Sequence, residues 1–290
     1  MEHDLALDKR LLRQSFEKAA ASYDAAAVLQ LEVCRRMLAR LDYVTLAPAA
    51  ILDAGCGTGN VIAALRARYP RAAVYAFDIA LSMVRHACAR VSWFERLRGR
   101  GVVPVCGDIE RLPLRAAAVN MVWSNLALQW ATETPRALAE LRRVLAPGGL
   151  LMFSTFGPDT LKELRAAYHE TDGYSHVNRF LDMHDLGDML VHAGFADPVM
   201  DMEYITLTYD DVRALMRDLK AIGAHTVTVG RRTGMTARAT LAAVEQNYEK
   251  FRRDGHLPAT FEVIYGHAWV PQPRTTADGK PIIPISPARV

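Results

Sequence analysis

From Pro48 to Phe156, short apolar runs alternate with stretches whose apolar residues recur at helical spacing. Ala50-Ile51-Leu52-Asp53 reads as a buried strand entering a glycine-rich turn, and Val61 to Tyr69 as the helix behind it. Val74 to Asp78 is a second strand, with Met83 to Val91 as its helix. Val102 to Cys106 and Val119 to Trp123 are further short strands. Leu138 to Leu145 is helical, Pro147-Gly148-Gly149 marks a break, and Leu150 to Phe156 is another strand. Such alternation predicts an α/β fold with a doubly wound parallel sheet, helices on both faces and ligands at the carboxyl ends of the strands.

The rhythm changes after Phe156. Residues 157–184 mix Gly, Pro, Asp, Tyr and His with little periodicity and predict a loop or lid. Val199 to Tyr209 reads as a strand, Asp211 to Gly223 and Thr240 to Arg253 as helices, and Phe261 to Trp269 as a last strand. The proline-rich tail from Pro271 is expected to be loosely ordered.

Composition adds limits. With 51% hydrophobic residues the 290-residue chain can bury a substantial core, and one large α/β domain is expected. A net charge of +3 neither demands nucleic acid nor excludes an acidic partner. No leader-like segment and no apolar run of bilayer length is present, so a cytoplasmic, non-membrane protein is expected. Cys34, Cys56, Cys88 and Cys106 form no C-x-x-C pair, which favours reduced, mostly buried thiols over disulfides or zinc. His184-Asp185 reads as a cap or surface pair, and no metal site is expected.

The chemistry begins at Asp53-Ala54-Gly55-Cys56-Gly57-Thr58-Gly59, a D-x-G-x-G-x-G run between strand and helix. Glycines there let backbone turn tightly and approach a ligand closely. The spacing is not the dinucleotide G-x-G-x-x-G, and no G-K-[ST] follows. Asp78 ends the second strand, where a carboxylate can accept ribose hydroxyls. Asp108, followed by Ile109, ends the third, where it can accept from an exocyclic adenine amine. One strand-terminal Asp is commonly a helix cap. Three, each at a successive strand tip, point to a ligand.

This set resembles the class I S-adenosylmethionine-dependent methyltransferases over about Ala49 to Phe156. The resemblance implies a Rossmann-like sheet of seven strands whose final antiparallel strand pairs into the middle, S-adenosylmethionine as cofactor and S-adenosylhomocysteine as product. It also implies that Asp53 with Gly55, Gly57 and Gly59 holds the methionyl part, and that Asp78 holds the ribose. Met83 would lie beside the adenine, which Asp108 and Ile109 frame, while Ile79 and Asn125 complete the cofactor set.

The substrate is read from what surrounds that core. Ser124-Asn125-Leu126-Ala127-Leu128-Gln129-Trp130 occupies the place of the methyl acceptor but lacks the N-P-P-Y type pattern of base-modifying enzymes, so nucleic acid is disfavoured. No His or Lys stands there as a base, and a carboxylate acceptor, with a pKa near ~4, needs none. Phe16, Ala20 and Tyr23 share one helical face. These residues, with Asn178-Arg179-Phe180-Leu181 and Leu219-Lys220-Ala221-Ile222-Gly223-Ala224, are similar to the malonyl-acyl-carrier-protein O-methyltransferases of biotin synthesis, from Arg13 to about Pro271. That resemblance implies methylation of the free carboxylate of a malonyl thioester on acyl carrier protein, early in pimeloyl assembly. It divides the chain into an N-terminal helical cap (1–47), a cofactor-binding core (48–156), a lid with helical insertions and one strand (157–256), a last strand (257–270) and a tail (271–290).

Several residues admit two roles. Tyr23 either packs its helix or closes over cofactor or substrate. Arg179 either pairs at the surface or reads the malonyl carboxylate, with Lys220 as the second cation for that task. Gln129 and Trp130 either cap and pack or line the substrate pocket. Arg35, Arg36, Arg40, Arg66 and Arg68 read as solvated helix faces. Two other functions fit the cofactor motif: methylation of a small free polycarboxylate such as trans-aconitate, and non-catalytic S-adenosylmethionine binding.

Overall fold

The computed structural model describes residues 7–91, 101–171, 177–223 and 238–272. Three helices precede the sheet: α1 (Lys9–Ala19), α2 (Tyr23–Ala26) and α3 (Val28–Arg40). There follow β1 (Ala50–Ala54), α4 (Ile62–Arg68), β2 (Ala73–Asp78), α5 (Leu81–Ala89), β3 (Val102–Cys106), β4 (Val119–Asn125), α6 (Thr134–Val144) and β5 (Leu145–Phe156). The C-terminal half supplies α7 (Lys162–His169), α8 (Met183–His192), β6 (Ala196–Tyr209), α9 (Val212–Ala221), α10 (Arg238–Glu249) and β7 (Leu257–Trp269).

The seven strands lie in the order β3-β2-β1-β4-β5-β7-β6. The first five are parallel, and β7 pairs antiparallel with both β5 and β6. The order reverses at β1, so a crevice opens at its carboxyl end, where doubly wound sheets bind ligands. Strands β1 and β4 are buried on both faces, as their continuous apolar runs require. The edge strand β6 instead alternates, with only Ile205 fully buried.

Two expectations are corrected. Pro147-Gly148-Gly149 does not end regular structure, because β5 runs through it. Gly148 takes a φ of 73°, its N–H donates to the Val270 carbonyl (2.8 Å), and Val270 N–H donates to the Gly149 carbonyl (2.9 Å). The distortion is thus absorbed by pairing with the chain beyond β7. Residues 157–184 contain helix α7 and the start of α8 as well as loop. Helix α7 was hidden because one residue of its buried face is a carboxylate: Glu163 accepts from Thr260 N–H (3.1 Å) and from the Thr260 hydroxyl, on β7. Helix α8 begins at Asp182, whose side chain accepts from His184 N–H, so His184 sits at a capped N-terminus. The helix α3, not assigned from sequence, packs Leu29, Val33, Cys34 and Met37 into the core.

The expected tail lies outside the described residues from position 273, as does Ala224. Cys34 and Cys56 are buried, Cys88 is half-buried, Cys106 is exposed, and none of the four is in a disulfide. Among the described residues no helix is long and apolar enough to cross a membrane, and no cluster of His, Cys, Asp or Glu is arranged to hold a metal.

Candidate active site

The tips of β1, β2 and β3 form the floor of a cleft of about 780 Å³, counted with its open mouth. Asp53, the last residue but one of β1, has only 1% of its surface exposed, and its Oδ2 is buried without a hydrogen-bond partner. Burial, then the neighbouring Asp78 carboxylate, pushes its pKa up to about 8. A buried carboxylate oxygen with no donor marks a place where a ligand's donor or cation belongs.

The glycine loop that follows is shaped by sterics. Gly55 has a φ of 85°, and a Cβ added there would stand 2.2 Å from Ala127 Cβ, so only glycine lets the loop pass under the segment after β4. Gly57 N–H donates to Asp78 Oδ2 (3.0 Å), and Ala80 N–H to Asp78 Oδ1 (2.9 Å). Asp78 therefore braces the loop while keeping lone pairs for a ligand. Burial lifts its pKa to about 6 against the lowering effect of those backbone donors. Ile79, Met83 and Ile109 line the same cleft, and Met83 is buried.

Asp108 also lines the cleft, but one of its oxygens is engaged: Lys9 Nζ stands 2.7 Å from Asp108 Oδ1 and 2.8 Å from Glu110 Oε1. The lysine ties α1 across the tip of β3. It was missed in the sequence, although Lys9, Leu12, Phe16 and Tyr23 follow a helical stripe, and all four line the cleft. Glu17 on the same helix accepts from Leu81 and Ser82 N–H at the start of α5, which fastens the roof at a second point.

Tyr23 sits over the glycine loop, its ring 3.7 Å from where a Gly57 Cβ would be. Burial, then the carboxylates Asp78 and Asp24, raises its phenol far above the usual range. At neutral pH it is a hydrogen-bond donor and not a base. Asp24, the next residue, accepts from the Thr58 hydroxyl and pairs with Arg90.

The segment after β4 closes the remaining side. Asn125 lines the cleft but is used internally: Nδ2 donates to the Gln30 carbonyl (3.1 Å), and Oδ1 accepts from Ser154 Oγ (2.9 Å). Leu126 adopts a φ of 50°, held by its N–H donating to Ser154. Gln129 donates to the Leu126 carbonyl (2.7 Å), and Trp130 stacks edge-on against Phe16 at 5.4 Å; both line the cleft.

The two candidate cations are placed apart. Arg179 is exposed and lines a neighbouring cavity with Gln129, Thr132 and Thr134, outside this cleft. Lys220, on α9, lines a different cavity that meets the cleft at Gln30, Trp130, Phe156 and Ile222. Gln30 and Phe156 had not been singled out from sequence, and Ile222 was quoted only within the Leu219 to Ala224 motif. Gln30 left a trace as an amide on the stripe of α3 that carries Val33 and Met37. Arg35 and Arg36 pair with Glu32, Arg36 also with Glu203, Arg40 with Asp201 and Arg68 with Asp42, so these four are engaged on their own surface.

Comparison with known proteins agrees with this geometry. A family model described as a methyltransferase domain matches residues 52–153. The malonyl-[acyl-carrier protein] O-methyltransferase of Gallionella capsiferriformans is 57% identical over 285 residues, covering 98% of both chains. The protein of that name from Methylovorus sp. is 58% identical and covers 92% of this chain and 91% of its own. Among solved structures, the YcgJ protein of Bacillus subtilis superposes with a TM-score of 0.57 at 14% identity, over 82% of this chain and 99% of its own. The [4+2]-cyclase SpnF gives 0.51 at 22% identity over 82% of each chain, so likeness at this level establishes the fold alone. The relatives, matched nearly end to end, decide the family: this chain belongs to the malonyl-[acyl-carrier protein] O-methyltransferases.

Proposed function

We propose that the protein methylates the free carboxylate of a malonyl thioester carried on acyl carrier protein, using S-adenosylmethionine, as a cytoplasmic enzyme of biotin synthesis. The observation that carries this is 57% identity over 98% of both chains with an enzyme of that name, on a fold that leaves an Asp53 oxygen buried and unpaired beside Asp78. When bound, S-adenosylmethionine supplies a methyl on positively charged sulfur, which a carboxylate oxygen displaces to give a neutral ester and S-adenosylhomocysteine.

The chain's residues prepare that displacement. Asp53, ionised, offers its free oxygen to the cofactor's cationic end, and Asp78 and Asp108 offer theirs to ribose and adenine. Tyr23, its phenol protonated, stands above the loop as a donor for a ligand and not as a base. The acceptor carboxylate arrives ionised, so no base is needed. What remains is alignment and exclusion of water, and the roof of Leu12, Phe16, Trp130 and Ile222 supplies an apolar lid for both.

The test offers methyl-labelled cofactor with malonyl carrier protein, malonyl coenzyme A, acetyl carrier protein and trans-aconitate. A base-labile methyl ester is expected on the malonyl thioesters, and the acetyl species should be inert. Equal labelling of acetyl carrier protein, or labelling of trans-aconitate alone, overturns the assignment.

A further inference from the structure

Two cavities adjoin the cofactor cleft, and they differ in how they meet it. The one holding Arg179, about 1400 Å³ with its open space, shares Gln129 and Phe156 with the cleft. The other, about 1560 Å³ on the same basis, shares Gln30, Trp130, Phe156 and Ile222. Its walls include Leu29, Leu161, Leu164, Phe180 and Phe261, while Lys220 connects it to a surface groove beside Lys18 and Arg217. A passage from surface to cleft with apolar walls suits a slender uncharged chain that ends in a reactive group.

At the junction Gln30 is the one amide among two aromatic residues and an isoleucine. Its Oε1 is buried with no hydrogen-bond partner. Its backbone is fixed, because its carbonyl accepts from Asn125 Nδ2, which Ser154 anchors in turn. With Oε1 unpaired, nothing in the protein locks the amide by its oxygen, and rotation about its last torsion can present N–H or C=O to whatever occupies the junction. A buried amide oxygen left without a partner is unfavourable, since it has lost its water and gained no donor. Persisting at the meeting point of two cavities, it indicates a group held ready for a ligand.

We propose that this second cavity is the acyl chamber, which takes the thioester arm of the substrate, and that Gln30 orients the terminal carboxylate at its mouth. One amide N–H donates to one carboxylate oxygen and leaves the other free to attack. A neutral amide suits this step better than a guanidinium. A fork gripping both oxygens stabilises the ground-state charge that must disappear in the transition state, whereas a single neutral donor fixes direction at little cost in nucleophilicity. This inference rests on the malonyl-thioester reading given above.

The experiment uses the full-length enzyme with Gln30→Leu, Gln30→Glu and Leu219→Trp, the last narrowing the chamber away from the cleft. The probes are S-adenosylhomocysteine in calorimetry, and malonyl-pantetheine and malonyl carrier protein in turnover. Gln30→Leu should lower kcat/KM for both thioesters about ten- to a hundredfold, with S-adenosylhomocysteine affinity within about threefold of wild type. Gln30→Glu should be poorest at high pH and recover as pH falls, because only the ionised side chain repels the substrate carboxylate. A purely structural role would give no such profile. Leu219→Trp should raise KM for both thioesters and spare S-adenosylhomocysteine binding. A wild-type enzyme active on malonyl thioesters alongside an undiminished Gln30→Leu, or a pH-independent loss in Gln30→Glu, overturns the inference alone. A wild-type enzyme inert toward both thioesters overturns the functional reading and the inference with it.

Discussion

The floor and the roof of the cleft are built on different principles. The floor comes from β1, β2 and β3, whose register puts Asp53 and Asp78 at adjoining strand tips, with backbone N–H groups bracing Asp78. The roof comes from α1, α2 and α9, joined to the floor by side chains such as Lys9 and Glu17 that bridge segments distant in sequence. Buried, backbone-bonded groups have little room to relax, whereas part-exposed ion pairs contribute about 0–1 kcal/mol each. The floor is therefore expected to decide whether the cofactor binds, and the roof to tune substrate and closure.

Breaking the floor should have the largest effect. Gly55→Ala places a methyl against Ala127 in left-handed backbone, which costs roughly 1–2 kcal/mol before the clash is counted. Cofactor affinity should fall more than about a hundredfold and thermal stability should drop. Calorimetry and circular dichroism melting check this, and a folded variant of normal affinity would refute the tight loop.

The next effect tests the charge of the floor. Burial raises the Asp53 pKa to about 8 and the Asp78 pKa to about 6, both above their values in the unfolded chain. The folded, cofactor-free protein thus holds protons that the unfolded chain has released. Its stability should fall as pH rises from about 4 through about 8. Cofactor affinity should move the other way, rising up to about tenfold from pH 7 to pH 9 as Asp53 ionises, with proton uptake by buffer on binding. Titrations in buffers of different ionisation enthalpy would show it. In Asp53→Asn the affinity trend should flatten, and the stability trend should shrink to the part that Asp78 contributes below about pH 6.

Within the roof region, the chamber assignment separates the two cations. Lys220→Ala should lower kcat/KM for malonyl carrier protein about tenfold, while Arg179→Ala should stay within about threefold, because only the Lys220 cavity meets the cleft through Gln30. The reverse ranking would move substrate recognition to the Arg179 side. Lys9→Ala should have the smallest effect on cofactor affinity among the variants of the cleft. Its two ion pairs are part-exposed, so cofactor affinity should weaken only a few-fold, and less at high salt. A loss as large as that of Gly55→Ala would mean that roof and floor act as one unit.

How much was legible in advance follows the same division. Strands β1, β2 and β3, the glycine loop and the acids Asp53, Asp78 and Asp108 were readable because each depends on local pattern: apolar runs, obligatory glycine and a carboxylate at a strand end. Helix α7 was not, because its buried face carries Glu163, whose partner Thr260 lies in β7. Nor was the strand through Pro147-Gly148-Gly149, which pairing with Val270 on one side and with β4 on the other sustains.

The amino-acid sequence by itself determined the sheet, the cofactor loop and the residue types able to hold a cationic nucleoside, since backbone sterics and hydrophobic period act over a few residues. Only the tertiary structure decided which cavities meet the cleft, that Lys9 closes on Asp108, that Arg179 stands outside, and that the Gln30 side-chain oxygen is unpaired at the junction. Those facts depend on how helices distant in the chain pack over the strand tips, and the burial and pairing that packing creates cannot be read from spacing alone.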